Sequence, residues 1–465
     1  MAPLRAVKEL HRATAQELGV DSKTVDAVEA LLAELTQLLV GVSITQELTP
    51  RARDSLVSFG ERLSTRLFAA FLRASGVPAR NVDAWDAGLA TCDDFGSATV
   101  DYEASLPALR AALSPAPSDA PVAVFTGFLG RGSKTKAITT LGRGGSDLTC
   151  TLLGAALGLP EVQVWKDVDG VLTADPRLVK AARAVGALTY DEATELAFFG
   201  AAVLHPLAMQ PAIQASFAAT QAASRSGGSS SDSPMLSSSR SSSSSSGASS
   251  SDGSDGSGGS GGNGNGAATR PSSPSPPPFV PTPLAVRVKN SYNRAAPGTI
   301  IAADRDMSSS LVTSVVLKDG VTMLDMVSTA APGQVGFLAN VFAAFRDCGV
   351  SVDVVATSEV SVSLTLDPSR VWERDLVDAE LDALLSSLSR FAAATATRNV
   401  GCVSLICNVA RTAEILERAF GVLKREEIPV LMMSQGASKT NISLIVGGEG
   451  TGPKAIRALH AEFFE

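Results

Sequence analysis

The sequence predicts an α/β protein in which a largely parallel sheet with helices on both faces is followed by two ferredoxin-like (βαββαβ) modules. Three observations support this prediction. Strand-like and helix-like apolar patterns alternate through the first part of the chain, which is typical of parallel strands joined by helical crossovers. A Ser-, Gly- and Pro-rich tract then interrupts the chain. Beyond it, a strand–helix–strand–strand–helix pattern occurs twice.

The N-terminal part is predicted to be helical because its apolar residues recur at intervals of three and four. Thr49-Pro50 is a typical helix start, and Gly76 a typical stop. The predicted helices are Leu4–Leu18, Ser22–Leu39 and Thr49–Ala74. Short strands are predicted next, at Ala79–Trp85 and Val122–Thr126.

The segment Thr139–Thr149 has the composition of an anion-binding loop in front of a helix predicted at Cys150–Leu159. Its glycines allow backbone amides to approach a ligand, and a helix N-terminus adds partial positive charge. Arg143 supplies a planar cation and Asp147 a negative charge. Both signs together suit a zwitterion, or a phosphate beside an amine. A Gly-rich loop by itself is also compatible with a tight turn.

The next strand, Glu161–Trp165, ends at Lys166-Asp167, and the helix Asp191–Val203 is predicted to end at His205-Pro206. In parallel sheets, ligands bind where the strands end, so these loops are candidate site elements. From 216 to 283 the composition cannot bury enough apolar surface to offset the entropy of ordering, which predicts a disordered insertion. A strand follows at Leu284–Asn290.

Each C-terminal module is predicted to contain strands and helices in a split βαβ order. The first module comprises Val321–Ser328, Gly333–Cys348, Val350–Thr357, Val360–Leu366 and Val371–Leu388. The second comprises Val403–Cys407, Thr412–Glu427, Val430–Ser434, Ile442–Val446 and Pro453–Phe464. Because the second lacks a fourth strand, we expect the apolar run Leu311–Leu317 to complete it, with the first module nested inside. The predicted domains are 1–303 (interrupted by 216–283), 311–398 and 399–465.

Composition excludes several classes of protein. A net charge of −8 over 465 residues argues against a partner held through nucleic-acid phosphates. Five cysteines without a C-x-x-C pattern, and only three histidines, indicate neither a disulfide framework nor a zinc site. No apolar run is expected to span a membrane, and no signal or transit peptide is expected at the N-terminus.

Several long motifs, in order along the chain, resemble the aspartate kinase family, and most closely its monofunctional, lysine-sensitive form of plant and algal plastids. The kinase motifs are Thr140–Thr149, Val164–Pro176, Phe199–Pro206 and Val286–Thr299. Val352–Leu366 and Met433–Ile445 are similar to the two ACT modules of that family. The resemblance covers nearly all of the chain except the Ser/Gly tract. It implies an amino-acid-kinase-type sheet followed by two ACT modules.

The resemblance implies transfer of the γ-phosphoryl group of ATP to the β-carboxylate of L-aspartate, which gives 4-phospho-L-aspartate. This is the first step towards lysine, threonine and methionine. The implied cofactors are ATP and Mg²⁺, with the metal bound through the nucleotide, and the implied location is the plastid. The chemistry fits the charged loops, since two anionic reactants must be neutralised and aligned.

The resemblance also assigns roles to individual residues. Arg143 would hold the α-carboxylate of aspartate, while Asp147 and Glu61 would attract its ammonium group. Thr140 and Ser146 would hydrogen-bond the substrate, and Arg143 and Asp147 are the implied catalytic residues. The implied nucleotide site consists of Lys166, Asp167, Leu172, Asp175 and Arg177. Without the resemblance, Glu61 fits a solvated helix face, and Asp167 and Asp175 fit turns.

ACT modules bind amino acids, and Asp353 could pair with the ε-ammonium group of lysine. The implied regulatory pocket comprises Gln334, Gly336, Phe337, Leu338, Val352, Asp353, Thr357, Ser358 and Glu359. Gln334 is similar to the plant form in which S-adenosylmethionine acts together with lysine. A homodimer through paired ACT modules is also implied.

The chain departs from the family in having no K-F-G-G-T-S strand, whose lysine contacts the transferring phosphoryl group. A truncated sequence, with little kinase activity as it stands, is therefore one expectation. A catalytically impaired amino-acid sensor is a second hypothesis. A third is another amino-acid kinase, of the glutamate or carbamate kinase type, which the ACT modules and the Arg143/Asp147 loop disfavour.

Overall fold

The computed structural model of the protein describes residues 2–113, 120–199, 204–226, 282–307, 310–329, 335–366, 378–436 and 439–465. The helices α1–α11 are Ala2–Glu17, Ser22–Thr45, Pro50–Ala74, Tyr102–Leu113, Gly145–Leu157, Tyr190–Phe198, Pro206–Ser226, Phe337–Asp347, Asp378–Leu388, Thr412–Arg425 and Thr451–Phe464. The strands β1–β15 are Ala79–Val82, Ala90–Thr91, Val122–Phe125, Leu129–Gly132, Ile138–Thr140, Glu161–Lys166, Ala187–Thr189, Ala285–Asn290, Thr299–Ala302, Val312–Ser328, Val355–Thr357, Ser361–Leu366, Ala392–Cys407, Val430–Gln435 and Asn441–Val446.

The N-terminal helices form a hairpin, α2 against α3, that packs through buried side chains such as Val28, Leu32 and Leu63. Asp21 and Thr49 cap the two helices by accepting hydrogen bonds from backbone amides of the first turn. By length and mean hydropathy, α2 could also cross a membrane, so the expectation that no segment would pass this test is wrong. Core helices of soluble proteins pass it as well, and the finding is weak evidence for a membrane.

The first domain is a mixed α/β structure whose described strands form three small sheets. Their orders are β1-β3, β2-β4-β5 and β6-β8-β9-β7. Most pairs are parallel, as predicted, but β4 with β5 and β8 with β9 are antiparallel. The sequence patterns do not predict the β4–β5 hairpin. Helix α5 packs against this layer through fully buried residues such as Leu152, and β8 contributes Val286 and Val288. The ends of β5 and β6 lead into the candidate site.

One sheet of order β11-β12-β10-β13-β15-β14 unites the two C-terminal modules. Strands β10 and β13 are long and run through both modules. Val312–Leu317, at the start of β10, pairs with Val403–Cys407 of β13. The later half of β10 pairs with β12 and with the first half of β13. This is the pairing that a nested arrangement requires.

Several predicted element boundaries differ from the structure. His205-Pro206 does not end a helix but begins one, α7, since the His205 carbonyl accepts a hydrogen bond from Ala208. This helix continues to Ser226, so the predicted start of the insertion, at Ser216, is too early. The remainder of the predicted tract, up to 281, lies outside the described residues. Helix α5 begins at Gly145 rather than Cys150.

Similar differences occur in the first ACT-like module. The predicted strand Val350–Thr357 is shorter in the structure, where β11 comprises Val355–Thr357. Asp353 and Val354, just before it, form backbone hydrogen bonds with Thr365 of β12. Helix α8 begins at Phe337, and the predicted helix residues 371–377 lie outside the described part of the chain.

Candidate active and regulatory sites

The glycine-rich loop turns sharply into helix α5. Gly144 precedes the helix with φ 75°, a conformation that favours glycine. A Cβ atom at Gly144 would lie 2.3 Å from Cβ of His205, so any other residue would displace the start of α7. The loop and the His205 segment are therefore packed directly against each other.

Asp147 and Lys166 form an ion pair at the helix start. Nζ of Lys166, at the end of β6, donates to both carboxylate oxygens of Asp147 at 2.9 and 2.8 Å. The side chain of Lys166 is 30% exposed and that of Asp147 is 14% exposed, so solvent screens the pair only in part. The structure thus joins a residue predicted for aspartate binding to one predicted for nucleotide binding. An anionic phosphoryl group near Lys166 would lie next to the substrate loop.

Glu61 reaches the other side of the same loop from helix α3. Its Oε1 atom is 3.5 Å from Oγ of Ser146, a long hydrogen bond. Burial raises the pKa of Glu61, and the Ser146 hydroxyl opposes this shift. A positively charged ligand group near Glu61 would favour the ionised form and would be bound more tightly for that reason.

Arg143 is exposed at the tip of the loop, and no hydrogen bond or ion pair links its guanidinium to any other described residue. Arg143 also affects the nearby imidazole of His205. Burial and the positive charge of Arg143 lower the pKa of His205, while the negative charge of Asp147 opposes this shift. A free guanidinium fork beside helix α5 is suited to a carboxylate.

Thr140 is held internally rather than open to a substrate. It is only 2% exposed, and its hydroxyl donates to Oδ1 of Asp54 at 3.0 Å. Asp54 is a residue that the sequence analysis does not identify. It lies seven residues before Glu61, which is about two turns away on the same side of α3, so the spacing of these two carboxylates was the available indication.

The predicted nucleotide residues lie on two neighbouring segments. Asp167 is exposed after Lys166, and no hydrogen bond among the described residues involves its side chain. Asp175 and Arg177 form a two-pronged ion pair, with a closest N–O distance of 2.6 Å, and Arg177 lowers the pKa of Asp175. The carbonyl of Leu172 accepts a hydrogen bond from Ser314 of β10 at 2.9 Å.

The loop after β8 supports the first of these segments. Asn290 and Asn293 donate to Oδ1 of Asp169 at 2.8 and 3.1 Å. Ser291 donates to the carbonyl of Lys166 through both its amide and its hydroxyl. These contacts fix the Lys166 end of β6 and were not predicted from the sequence.

The C-terminal module contacts the second segment directly. Oγ1 of Thr173 lies 2.9 Å from Nε2 of the buried His460 on α11, and the amide of Val315 donates to the carbonyl of Thr173. Residues that follow the nucleotide-site candidate Leu172 are thus held by the regulatory part of the chain. A movement of the C-terminal module would therefore shift Thr173 and the segment that follows Leu172.

The regulatory candidates are divided between open and closed positions. Gly336 precedes helix α8 with φ 100°, and Leu338 is 37% exposed in its first turn. The partly buried residues are Phe337 and Val352, and the exposed ones are Thr357, Ser358 and Glu359. Gln334 lies outside the described residues.

Asp353 is not an open carboxylate. Nζ of Lys318 donates to its Oδ2 atom at 2.8 Å, and the two side chains are 2% and 10% exposed for Asp353 and Lys318, respectively. The Oδ1 atom of Asp353 is buried with no partner among the described residues. A free lysine would therefore meet an internal ion pair at this carboxylate, which the sequence analysis does not predict.

Within the described ranges, no group of three or more His, Cys, Asp or Glu side chains could hold a metal ion. Comparison with known proteins agrees with the architecture. Residues 6–217 match the amino acid kinase family, and residues 403–463 match the ACT domain.

The chain is also similar to individual aspartokinases. It is 46% identical to chloroplastic aspartokinase 1 of Arabidopsis thaliana over 99% of its own length and 69% of that protein. It resembles Escherichia coli aspartokinase III in complex with aspartate and ADP, with a TM-score of 0.69 and 29% identity over 99% of this chain and 86% of the other. The same values hold for that enzyme in complex with lysine and aspartate.

The fold and the loop define an amino-acid kinase linked to ACT modules. The chain belongs to the aspartokinase family. It is thus an ATP-dependent enzyme of amino-acid biosynthesis that phosphorylates the β-carboxylate of L-aspartate. The alternative of a catalytically impaired sensor is not supported.

Proposed function

We propose that the loop Thr139–Thr149 binds L-aspartate, with Arg143 on the α-carboxylate and Glu61 and Asp147 facing the ammonium group. The observation that carries this assignment is the guanidinium of Arg143, which pairs with no described residue, in a loop that contains the carboxylate of Asp147 and contacts that of Glu61 through Ser146. Ser146 adds a hydroxyl, while Thr140 acts through the loop backbone because Asp54 holds its side chain. Steady-state kinetics of Arg143 variants, with aspartate and ATP varied separately, test the assignment.

ATP would lie across the ends of β6 and the following loop. Lys166 faces the phosphates, and the remaining contacts come from Asp167, Leu172, Asp175 and Arg177. Mg²⁺ would be held through phosphate oxygens, a common arrangement for this cation in kinases, where it neutralises phosphate charge. The proposed domains remain 1–303, 311–398 and 399–465.

The chain's own residues account for two requirements of this reaction. Arg143, Glu61 and Asp147 fix both charged ends of the amino acid, which leaves only the β-carboxylate free to act as nucleophile. Lys166 stabilises negative charge on the phosphoryl group, and its pairing with Asp147 holds it at the substrate loop. Aspartate binding and phosphate binding are thereby joined through a single ion pair.

Lysine is the proposed feedback inhibitor. The amides after Gln334, at Gly336 and Phe337, would take its carboxylate, and Asp353 would take its ε-ammonium group. Leu338, Val352, Thr357, Ser358 and Glu359 complete the pocket. The lysine complex of the similar Escherichia coli enzyme supports this proposal. S-adenosylmethionine as a second effector, a homodimer through the ACT modules and a plastid location are further proposals, the last supported by the chloroplastic relative.

Asp353→Ala is expected to raise the lysine concentration for half-maximal inhibition by about tenfold or more, because one charge-assisted contact is lost. Activity without lysine should persist. Initial rates against lysine concentration measure the effect. Asp325→Asn in β10 is the matched control, since Asp325 bonds only to Ser363 among the described side chains. Unchanged inhibition in Asp353→Ala and in Asp353→Asn would rule out this pocket.

A further inference from the structure

Asp54 joins three parts of the kinase domain. Its carboxylate is buried, with the residue 1% exposed on helix α3. Oδ2 accepts hydrogen bonds from the amides of Thr140 and Gly96 at 2.8 and 3.0 Å, and Oδ1 accepts from the Thr140 hydroxyl at 3.0 Å. Three donors hold this carboxylate in one position, since each charge-assisted hydrogen bond is stronger than a neutral one.

Thr140 is the last residue of β5 and stands three positions before Arg143. Seven residues beyond Asp54, the same helix presents Glu61 to Ser146. Helix α3 thus contacts both ends of the substrate loop. Asp54, in the first turns of the helix, contacts Thr140, and Glu61, at the middle of the helix, contacts Ser146. The relative position of Arg143 and Glu61 depends on both contacts.

We propose that Asp54 is a positioning residue for aspartate binding. It has no open surface for the substrate, so it acts by holding the Thr140 end of the loop at a fixed distance from Glu61. Without it, the Thr140 and Gly96 amides lose a buried acceptor, and the loop tip that carries Arg143 is free to shift. Displacements on the order of 1 Å at a binding group can lower the rate on the order of 100-fold.

The test is the effect of Asp54→Ala on the two substrates separately. We expect the KM for aspartate to rise about tenfold or more, while the KM for ATP changes less than about twofold. Asp54→Asn keeps the volume and one acceptor oxygen, so a rise of about threefold is expected. Ser58→Ala is the matched control on the same buried face, because among the described residues the Ser58 hydroxyl bonds only within α3, to the Ser55 carbonyl. Its KM for aspartate should be unchanged.

A merely structural role for Asp54 would lower the melting temperature and change both KM values together. That result, or an unchanged KM for aspartate in Asp54→Asn and Asp54→Ala, would overturn the proposal. If Asp54→Ala does not fold, Asp54→Asn decides alone. An aspartate-specific rise in KM in that variant supports positioning, and its absence refutes it.

A second, independent observation concerns Lys318, at the junction of the two ACT modules. Besides Asp353, its ammonium group lies 5.2 Å from the ring centroids of both Phe198 and Phe199, within cation–π range. These rings end helix α6 of the kinase domain, and Phe199 is 4% exposed. One buried ammonium therefore links the proposed lysine pocket to the kinase domain.

From this geometry we infer that Lys318 is a built-in competitor of the effector, an inference that rests on the proposed lysine pocket. Two ammonium groups cannot both be neutralised by one buried carboxylate without an uncompensated charge. Lysine at Asp353 therefore displaces Lys318, which then leaves Phe198 and Phe199. The exchange converts effector binding into a change at the kinase domain.

Lys318→Met removes the ammonium group and keeps most of the apolar stem. We expect this variant to bind lysine about tenfold more tightly by calorimetry, because no internal cation has to be displaced. Lysine should also raise the melting temperature of this variant more than that of the wild type, since the ammonium group of the ligand replaces the counter-ion that Asp353 has lost. Lys454→Met, in the second module, is the control, as Lys454 is 49% exposed and pairs with Glu426.

Unchanged or weaker lysine affinity in Lys318→Met would overturn the competitor role. The outcome differs from a failure of the pocket itself, in which Asp353→Asn would leave inhibition unaltered. If Asp353→Asn relieves inhibition and Lys318→Met does not alter affinity, only the competitor role fails.

Discussion

Replacement of Arg143 by alanine is expected to raise the KM for aspartate about 100-fold, with a much smaller effect on the KM for ATP. The guanidinium group is the only part of the proposed aspartate site that is exposed, charged and without a partner among the described residues. Loss of a two-pronged, charge-assisted contact costs about 3 kcal/mol, which corresponds to about 100-fold in binding. Initial rates with each substrate varied at saturating levels of the other measure the two constants.

Two further variants sharpen this test. Arg143→Lys keeps the charge but loses the planar fork, so about tenfold of the affinity should return relative to alanine. Arg457→Ala removes one exposed positive charge from α11 and should leave both constants unchanged. A rise in the KM for ATP that equals or exceeds the rise for aspartate would show that the loop binds the nucleotide instead.

The candidate site illustrates what a sequence pattern can supply. Arg143, Asp147 and Lys166 are identifiable because charged residues follow apolar strands in Gly-rich segments, where parallel sheets bind ligands. The pattern does not predict the Asp147–Lys166 pair, because the residues come from different strand ends whose separation is set by packing of the whole sheet. Asp54 and Thr140 are 86 positions apart, so only the tertiary fold reveals their contact.

Errors in the predicted elements have local physical causes. Lys318-Asp319-Gly320 has the composition of a turn, which favoured two separate strands on either side. In the structure β10 continues through it, with Gly320 at φ 72° and a register shift between Lys318 and Val321, as in a β-bulge. Helix α7 extends past Ser216 because its alanines favour helix and its buried residues, such as Ala212 and Ala219, pack into the core.

Glu192→Ala is expected to destabilise the protein by about 3–5 kcal/mol, the largest effect on stability that we predict. Glu192 is fully buried, and its carboxylate accepts hydrogen bonds from Arg305 and Thr313, at 2.7 Å for Nε of Arg305 and 2.7 Å for the hydroxyl. The carboxylate also accepts a hydrogen bond from the amide of Thr189, the residue that caps helix α6. Alanine would leave the Arg305 side chain, which is 14% exposed, without its counter-ion.

Thermal unfolding checks this expectation, with a decrease in melting temperature of about 10 °C. Glu161→Ala is the matched control, because the Glu161–Arg287 pair has similar geometry but is partly exposed, at 31% and 24%. Pairs of that kind contribute about 1 kcal/mol or less, so a small decrease is expected. Equal effects of the two substitutions would contradict the argument from burial.

The place where Glu192 acts gives the experiment a second readout. Its partners Arg305 and Thr313 lie at the start of the regulatory part of the chain, whereas Glu192 belongs to α6, the helix that ends at Phe198 and Phe199. Loss of the pair should therefore weaken the coupling of the two parts as well as their stability. A single unfolding transition in the wild type that separates into two in Glu192→Ala would show this. In the double variant with Arg305→Met, where no charge is left unpaired, much of the stability should return.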